Sequence, residues 1–329
     1  MARNEKNYSK INSILNEITK TCVITDPVVV LIGPTAIGKT DLSLKIAREF
    51  NAEIISVDSM QVYRYMDIGT AKATLAERLE VPHHLIDIID PDEQYNAARF
   101  VNDAVQAIKG IHKREAIPLL TGGTGLYLDA LKNGIFDDNA SDPEIRAGLH
   151  RRAAEHGTAS LHQELARHDP VAAKKIHSND TSRVIRALEV YFNTGAPYSE
   201  HLRKQSQQPK RISFENMVSI GLTMDRRKLY ERIDQRTALM LEQGLKEEVQ
   251  GLLDRGFGSD LKSMQSIGYR HMVHYLRGDW TADKLHEVLA RDTRRYAKRQ
   301  YTWFNKDNSI LWFRRNDRAG IYQLLRSHL

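Results

Sequence analysis

Residues 33–40 read GPTAIGKT and directly follow the apolar run VVVLI of residues 28–32. Such a run predicts a buried parallel strand, and the eight-residue pattern after it is typical of a loop whose backbone amides cradle phosphates. Apolar residues then recur at four-residue spacing from Leu42, which predicts a helix that packs against a sheet. A lysine and a hydroxyl at the start of that helix are placed to hold phosphate oxygens and Mg²⁺. The loop is therefore expected to bind a polyphosphate through Gly33, Pro34, Thr35, Ala36, Ile37, Gly38, Lys39 and Thr40, with Thr40 as the Mg²⁺ ligand.

Further apolar runs continue this alternation of strands and helices. They lie at residues 54–57, 85–89, 117–120 and 217–222, and helical periodicity follows from about residue 228 to residue 300. Alternating short strands and helices predict an open parallel sheet whose ligands lie beyond the carboxyl ends of its strands. The predicted class is α/β, with a P-loop NTPase-like parallel sheet core, an inserted α-helical domain and a helical C-terminal region.

The strand-like runs stop between residues 139 and 211. Asp142 and Pro143 are typical of a helix N-terminus there, and basic residues are frequent in the segment. We therefore predict a basic, helical insertion at 139–211 within a core formed by 27–138 and 212–329. Residues 1–26 form an N-terminal extension, predicted to be helical because its isoleucines and leucines recur with helical spacing.

Composition excludes several classes of protein. The 329 residues suggest about two domains, and 48 basic against 42 acidic residues give a net charge of +6, which suits a polyanionic partner or simply a basic surface. Cys22 is the one cysteine, so neither an internal disulfide nor a cysteine-based zinc finger can form. No run approaches the roughly 18 apolar residues of a membrane span, and no signal-peptide pattern is visible. These features predict a cytoplasmic protein that does not enter a membrane.

Eight short segments in chain order resemble the tRNA dimethylallyltransferases, a family of P-loop prenyltransferases that modify an adenosine beside the anticodon. They read GPTAIGKT at 33–40, DSMQVYR at 58–64, MDIGTAK at 66–72, VPHHLID at 81–87, TGGTGLY at 121–127, RVIRALE at 183–189, SIGYR at 266–270 and AKRQYTWF at 297–304. Two positions depart from the family pattern, Tyr65 where glycine is usual and Ala73 where proline is usual. Neither is a residue assigned to chemistry.

The resemblance implies transfer of a dimethylallyl group from dimethylallyl diphosphate to N6 of adenosine 37 in tRNAs that read codons beginning with U. The products would be N6-isopentenyladenosine and pyrophosphate. The implied partner is the tRNA anticodon stem-loop, the implied cofactor is Mg²⁺, and the implied state is a monomer. Two other functions share some of these features: a small-molecule P-loop kinase shares the loop and sheet, and a non-enzymatic RNA-binding protein shares the basic surface.

The family's chemistry implies roles for individual residues. Asp58, at the end of a predicted strand, is the candidate general base for the adenine amine, or alternatively a Mg²⁺ ligand. Lys39, Thr40 and Arg226 are the candidates that stabilise the departing pyrophosphate, although Arg226 could instead form a surface salt bridge. For an adenine to be flipped out of its stack, the protein must also bind the surrounding RNA. Residues matching the family's tRNA contacts are Asp58, Ser59, Met60, Gln61, Thr124, Arg146, Ser182, Arg183, Val184, Ile185, Arg186, Gln265, Ser266, Ile267, Gly268, Tyr269, Arg270, Lys298, Arg299, Gln300 and Trp303.

Overall fold

The structure is a computed structural model that describes residues 21–134, 142–207 and 210–329. The chain divides into two compact units. One, the helical unit, takes Thr21 and residues 134–211 as far as they are described; the other, the core unit, comprises residues 22–133 and 212–329. The predicted N-terminal helix over the first 20 residues lies outside the described residues.

A six-stranded, all-parallel sheet forms the centre of the core unit, as predicted. Its strands lie in the order β4-β3-β5-β2-β7-β8, and a separate parallel pair joins β1 to β6. The strands in chain order are β1 (Cys22–Ile24), β2 (Val28–Ile32), β3 (Ala52–Val57), β4 (His83–His84), β5 (Ile117–Gly122), β6 (Ile212–Phe214), β7 (Met217–Thr223) and β8 (Ile310–Arg314).

Helices surround this sheet and also make up the helical unit. In chain order they are α1 (Lys39–Glu49), α2 (Leu75–Glu80), α3 (Ala97–His112), α4 (Gly125–Asn133), α5 (Pro143–His156), α6 (Thr158–His168), α7 (Pro170–Lys175), α8 (Thr181–Thr194), α9 (Tyr198–Gln207), α10 (Arg226–Glu242), α11 (Leu245–Asp254), α12 (Tyr269–Leu276), α13 (Ala282–Phe304) and α14 (Arg318–His328). Helices α5 to α9 belong to the helical unit.

The register of the central strands brings their carboxyl ends to one edge. Every residue of β2 and β3 is buried, as expected for strands covered on both faces. Gly122 at the end of β5 pairs with Ile32 on one side and with Val57 on the other. The segments that follow β2, β3 and β5 therefore leave the sheet next to one another, which positions the phosphate loop beside Asp58.

The helical unit has a hydrophobic core of its own. Leu149, Leu161, Leu165 and Leu188 are buried in it. As predicted, Asp142 is the N-cap of the first helix in this unit, where its carboxylate accepts hydrogen bonds from two backbone N–H groups.

The predicted strand at residues 85–89 is wrong. Strand β4 contains only His83 and His84, and the backbone then turns, with positive φ at Leu85 (62°) and Asp87 (56°). The Asp87 carboxylate accepts hydrogen bonds from the buried Lys72 and from Arg78, and the run makes only an isolated parallel bridge, between Ile89 and Tyr63. Strand β8 and helix α14 were not predicted, although ILWFR at 310–314 is a short apolar run of the kind that forms strands.

Candidate active site

A cavity of about 650 Å³ opens at the carboxyl edge of the sheet, within the core unit. Its walls come from the phosphate loop, the residues after β3, the turn after β5, helix α10, the loop before α12, and helix α13. The three polar segments that follow β2, β3 and β5 thus lie around one space. Its volume falls in the range of small-molecule sites.

The phosphate loop has the backbone that its glycines predict. Gly38 adopts φ of 102°, a left-handed conformation that favours glycine, immediately before α1 begins at Lys39. The Lys39 ammonium donates hydrogen bonds to the carbonyls of Gly33 (3.0 Å) and Pro34 (2.9 Å). Thr40 is exposed, and its side chain lines the cavity. The lysine is therefore folded onto its own loop, at the N-terminus of a helix, where anions bind.

Positive charge is concentrated around this loop. Desolvation, reinforced by the Arg236 guanidinium, lowers the pKa of Lys39 from 10.5 to about 7, while Asp58 acts in the opposite direction. Burial likewise lowers the pKa of Arg236, and the Asp58 carboxylate opposes that shift. Cations crowded together out of water are stabilised when an anion enters. The site is thus electrostatically suited to a diphosphate.

Asp58 lies at the cavity wall directly after β3. One carboxylate oxygen accepts hydrogen bonds from the backbone N–H groups of Met60 (2.8 Å) and Gln61 (3.3 Å). The neighbouring turn is tied down as well, since the Ser59 N–H donates to the Thr124 hydroxyl (3.1 Å). These bonds hold the carboxylate in place and leave its second oxygen available to a ligand in the cavity.

Arginines of helix α10 line the cavity, but Arg226 does not. The Arg226 guanidinium is exposed, donates to the Tyr230 hydroxyl (3.0 Å) and lies over that ring. Arg232 donates to the carbonyl of Ala36 (2.8 Å) in the phosphate loop, and Arg236 lines the cavity one turn further on. We had not predicted these two arginines. Their four-residue spacing is the signal that places both on one helix face.

Gln300 joins the phosphate loop to the turn after β5. Its carbonyl oxygen accepts a hydrogen bond from the Thr35 N–H (2.8 Å), and its amide donates to the Gly123 carbonyl (2.9 Å). The side chain is only 5% exposed, and a Cβ at position 123 would lie 2.1 Å from it. Because both ends of its amide are engaged inside the core unit, Gln300 braces the loop. Its contact with tRNA stays a prediction.

Many of the predicted tRNA contacts in the core unit do line the cavity. They are Asp58, Ser59, Met60, Gln61, Gln265, Ser266, Ile267, Gly268, Arg270, Arg299 and Gln300. Four others, Tyr269 among them, lie apart from its lining. Thr124 binds the Ser59 backbone, Lys298 is exposed on α13, and Trp303 packs over Gly125.

The Tyr269 side chain, predicted to contact tRNA, does not line the cavity. Its side chain is fully buried, its ring packs against Gly69, and its hydroxyl donates to Glu248 (2.6 Å). The same Glu248 carboxylate accepts hydrogen bonds from three successive backbone N–H groups beginning at Asp67. Tyr269 and Glu248 thus fix the loop whose residues 69–71 line the cavity.

The predicted contacts in the helical unit divide in the same way. Val184 and Ile185 are buried in its hydrophobic core, so the prediction that they touch tRNA is wrong for their side chains. Ser182 and Arg183 are exposed. Arg146 and Arg186 both form ion pairs with Glu189, which is fully buried. The family motif indicates that residues 182–186 contact tRNA, but the packing of the helix decides which of their side chains face outward.

The residues present fit a magnesium ion that arrives with a diphosphate. Across the described ranges 21–134, 142–207 and 210–329, no cluster of three His, Cys, Asp or Glu side chains could form a protein cage for a metal. Thr40 and Asp58 nevertheless both line the cavity. Mg²⁺ commonly takes few protein ligands together with substrate phosphates and water, which suits this donor set.

Comparison with known proteins places this architecture in a family. The IPP transferase family model matches residues 61–307, and an isopentenyl transferase model matches residues 27–86. The chain is 52% identical to a tRNA dimethylallyltransferase of Desulfotalea psychrophila, over 91% of this chain and 94% of that one. It is 47% identical to the enzyme of the same name from Acetivibrio thermocellus, over 89% and 93%.

Solved structures agree. A tRNA isopentenylpyrophosphate transferase from Bacillus halodurans matches with a TM-score of 0.65 at 42% identity, over 94% of this chain and 95% of that one. A eukaryotic dimethylallyltransferase acting on tRNA matches with a TM-score of 0.75 at 30% identity, over 92% and 78%. In the described part of this chain, every helix is too short or too polar to cross a bilayer.

Proposed function

This chain belongs to the IPP transferase family of tRNA dimethylallyltransferases, and from that premise we propose how its cavity carries out the transfer. The donor is dimethylallyl diphosphate and the acceptor is N6 of adenosine 37, beside the tRNA anticodon, giving N6-isopentenyladenosine and pyrophosphate. The single observation that carries this proposal is that the phosphate loop and Asp58 line one cavity.

The phosphate loop binds the diphosphate as a leaving group. As the allylic C–O bond breaks, negative charge grows on the diphosphate, and cations aimed at it lower the barrier. Lys39 and Arg236 are two cations that line the cavity, and both are desolvated, which strengthens their attraction for an anion. Arg226, exposed and paired with Tyr230, has no part in this step.

Asp58 prepares the nucleophile. An adenine amine attacks poorly because its lone pair is delocalised, so a carboxylate that accepts a proton from N6 assists the attack. The N6 nitrogen bonds to the allylic carbon, the C–O bond breaks with its electrons leaving on pyrophosphate, and the N6 proton moves to Asp58. The backbone hydrogen bonds to one carboxylate oxygen keep the group oriented for this transfer.

Magnesium would be held by Thr40 and the diphosphate oxygens, and it supplies charge stabilisation to the leaving group when bound. Asp58 would remain available as the base if water and the diphosphate supplied the metal's other ligands.

The cavity also suits an extruded nucleotide. Chemistry on N6 requires the adenosine to leave its stack, and about 650 Å³ is in the range that accommodates small ligands. Arg299 lies over the ring of Tyr296, and both line the cavity, offering a cationic and an aromatic surface to bases and phosphates.

A labelled-donor assay tests the proposal. Radiolabelled dimethylallyl diphosphate is incubated with the protein and unmodified tRNA, and label is expected on RNA at an adenosine beside the anticodon. Label that never reaches RNA, with ATP consumed in the presence of a small acceptor, would instead show a kinase. A non-enzymatic RNA-binding protein would transfer no label and consume no ATP, and its affinity for tRNA would be unchanged in a Lys39→Ala variant.

A further inference from the structure

Arg315 lies directly after β8, at the edge of the sheet where the phosphate loop begins. Its backbone N–H donates to the Thr223 carbonyl (3.1 Å), which carries the strand pairing with β7 one residue beyond β8. From there the side chain reaches the loop: its Nε lies 2.6 Å from the point where a Cβ of residue 38 would stand. The guanidinium therefore rests on Gly38, and Gly38 lines the cavity.

The surroundings of this guanidinium are positively charged. Burial lowers the pKa of Arg232, and the nearby Arg315 guanidinium lowers it further. Lys39 and the N-terminus of α1 follow Gly38 directly, and a helix N-terminus repels cations. Within residues 21–134, 142–207 and 210–329, no carboxylate or hydrogen-bond acceptor pairs with the Arg315 guanidinium.

An exposed arginine without an acidic partner is ordinary on a protein surface. This one differs because it lies against the loop that binds phosphate, beside other cations, where its charge is unfavourable until an anion arrives. Glycine at position 38 leaves the space that the guanidinium occupies, since any larger side chain would collide with it.

We propose that Arg315 is a further diphosphate-binding residue, which closes over Gly38 and contacts the diphosphate of the donor and the released pyrophosphate. This inference rests on the proposed function of the phosphate loop. Arginine suits the task because its planar group can donate two hydrogen bonds to phosphate oxygens at once.

The test compares Arg315→Ala with Arg314→Ala. The two variants remove the same charge from adjacent exposed residues. Arg314, however, belongs to β8, where it pairs with Thr223, and the atoms nearest to Gly38 all belong to Arg315. Binding of inorganic pyrophosphate is measured by titration calorimetry near neutral pH, and binding of tRNA by filter retention. We expect Arg315→Ala to weaken pyrophosphate binding about tenfold and Arg314→Ala less than about twofold, with tRNA affinity equal in both.

Thermal unfolding of the ligand-free variants supplies a second readout. A purely structural arginine would lower the melting temperature when removed, whereas Arg315→Ala should match or exceed the wild type because a repulsive charge is lost. In the presence of saturating pyrophosphate, the order should reverse.

Equal pyrophosphate affinity in the two variants would overturn the proposal. So would a loss confined to tRNA binding, which would assign Arg315 to RNA backbone phosphates. A Lys39→Ala variant distinguishes a wrong proposal for Arg315 from a wrong proposed function. If the wild type binds pyrophosphate no better than Lys39→Ala does, the assignment of the phosphate loop is wrong.

Discussion

Donor binding should draw a proton onto Lys39. In the ligand-free protein, desolvation and Arg236 lower the pKa of Lys39 to about 7, so at about pH 8.5 nearly all molecules carry a neutral amine. A diphosphate in the loop favours the ammonium and raises that pKa toward its ordinary value. Binding should therefore take up about one proton at about pH 8.5, about half a proton at about pH 7, and almost none at about pH 6.

The sign of the affinity change follows. Below about pH 7 the lysine is already charged and adds no further pH dependence; above it, affinity falls about tenfold per pH unit, or about 1.4 kcal/mol, because binding must first protonate Lys39. Phosphate groups with a second pKa of about 6 are almost fully ionised at about pH 8.5, so the donor itself contributes little to the proton uptake measured there.

Calorimetric titration with dimethylallyl diphosphate, without tRNA, measures the uptake directly when repeated in buffers of different ionisation enthalpy. Lys39→Met is the control and should bind weakly with no proton uptake. If the wild type took up no proton at about pH 8.5, or if Lys39→Met took up the same amount, the assignment of Lys39 would be refuted.

Three further substitutions test other parts of the site and fold. Gln300→Leu removes both hydrogen bonds that brace the phosphate loop, and steady-state kinetics should show kcat/KM for the donor reduced about 10²-fold with unchanged far-ultraviolet circular dichroism. Arg236→Ala should lower single-turnover rates by about 10²–10³-fold while Arg226→Ala changes them less than about threefold, and the opposite order would restore Arg226 as the clamp. Glu189→Gln leaves Arg146 and Arg186 without their buried carboxylate and should lower the free energy of unfolding in urea by about 2 kcal/mol. The expected loss is moderate because both arginines are partly exposed, and an unchanged free energy of unfolding would contradict this role.

Local signals in the sequence were enough to predict the phosphate loop and Asp58. The motif at residues 33–40 lies next to the strand it follows, and Asp58 directly follows an apolar run, so strand ends alone bring them together. The parallel sheet was predictable for the same reason, since its central strands are short, apolar and buried on both faces.

Side-chain direction was not predictable. Arg226 and Arg236 lie on one helix, and which of them faces the cavity depends on how α10 packs against the loop. Tyr269 belongs to a segment that lines the cavity, yet its ring is turned inward to Glu248. Leu85 and Asp87 follow a strand in sequence, but their backbones adopt positive φ and Asp87 forms ion pairs with Lys72 and Arg78, which no apolar pattern reveals.

The central claim is that Asp58 accepts the proton from an adenine amine held beside the phosphate loop. The measurement that tests it most directly is the single-turnover rate of Asp58→Asn with labelled donor and tRNA, made together with the affinities for both substrates. The account predicts a rate about 10²–10⁴-fold below wild type, with donor and tRNA affinity largely kept. An unchanged rate would contradict the claim, and an equal loss of Mg²⁺-dependent donor binding would make Asp58 a metal ligand instead.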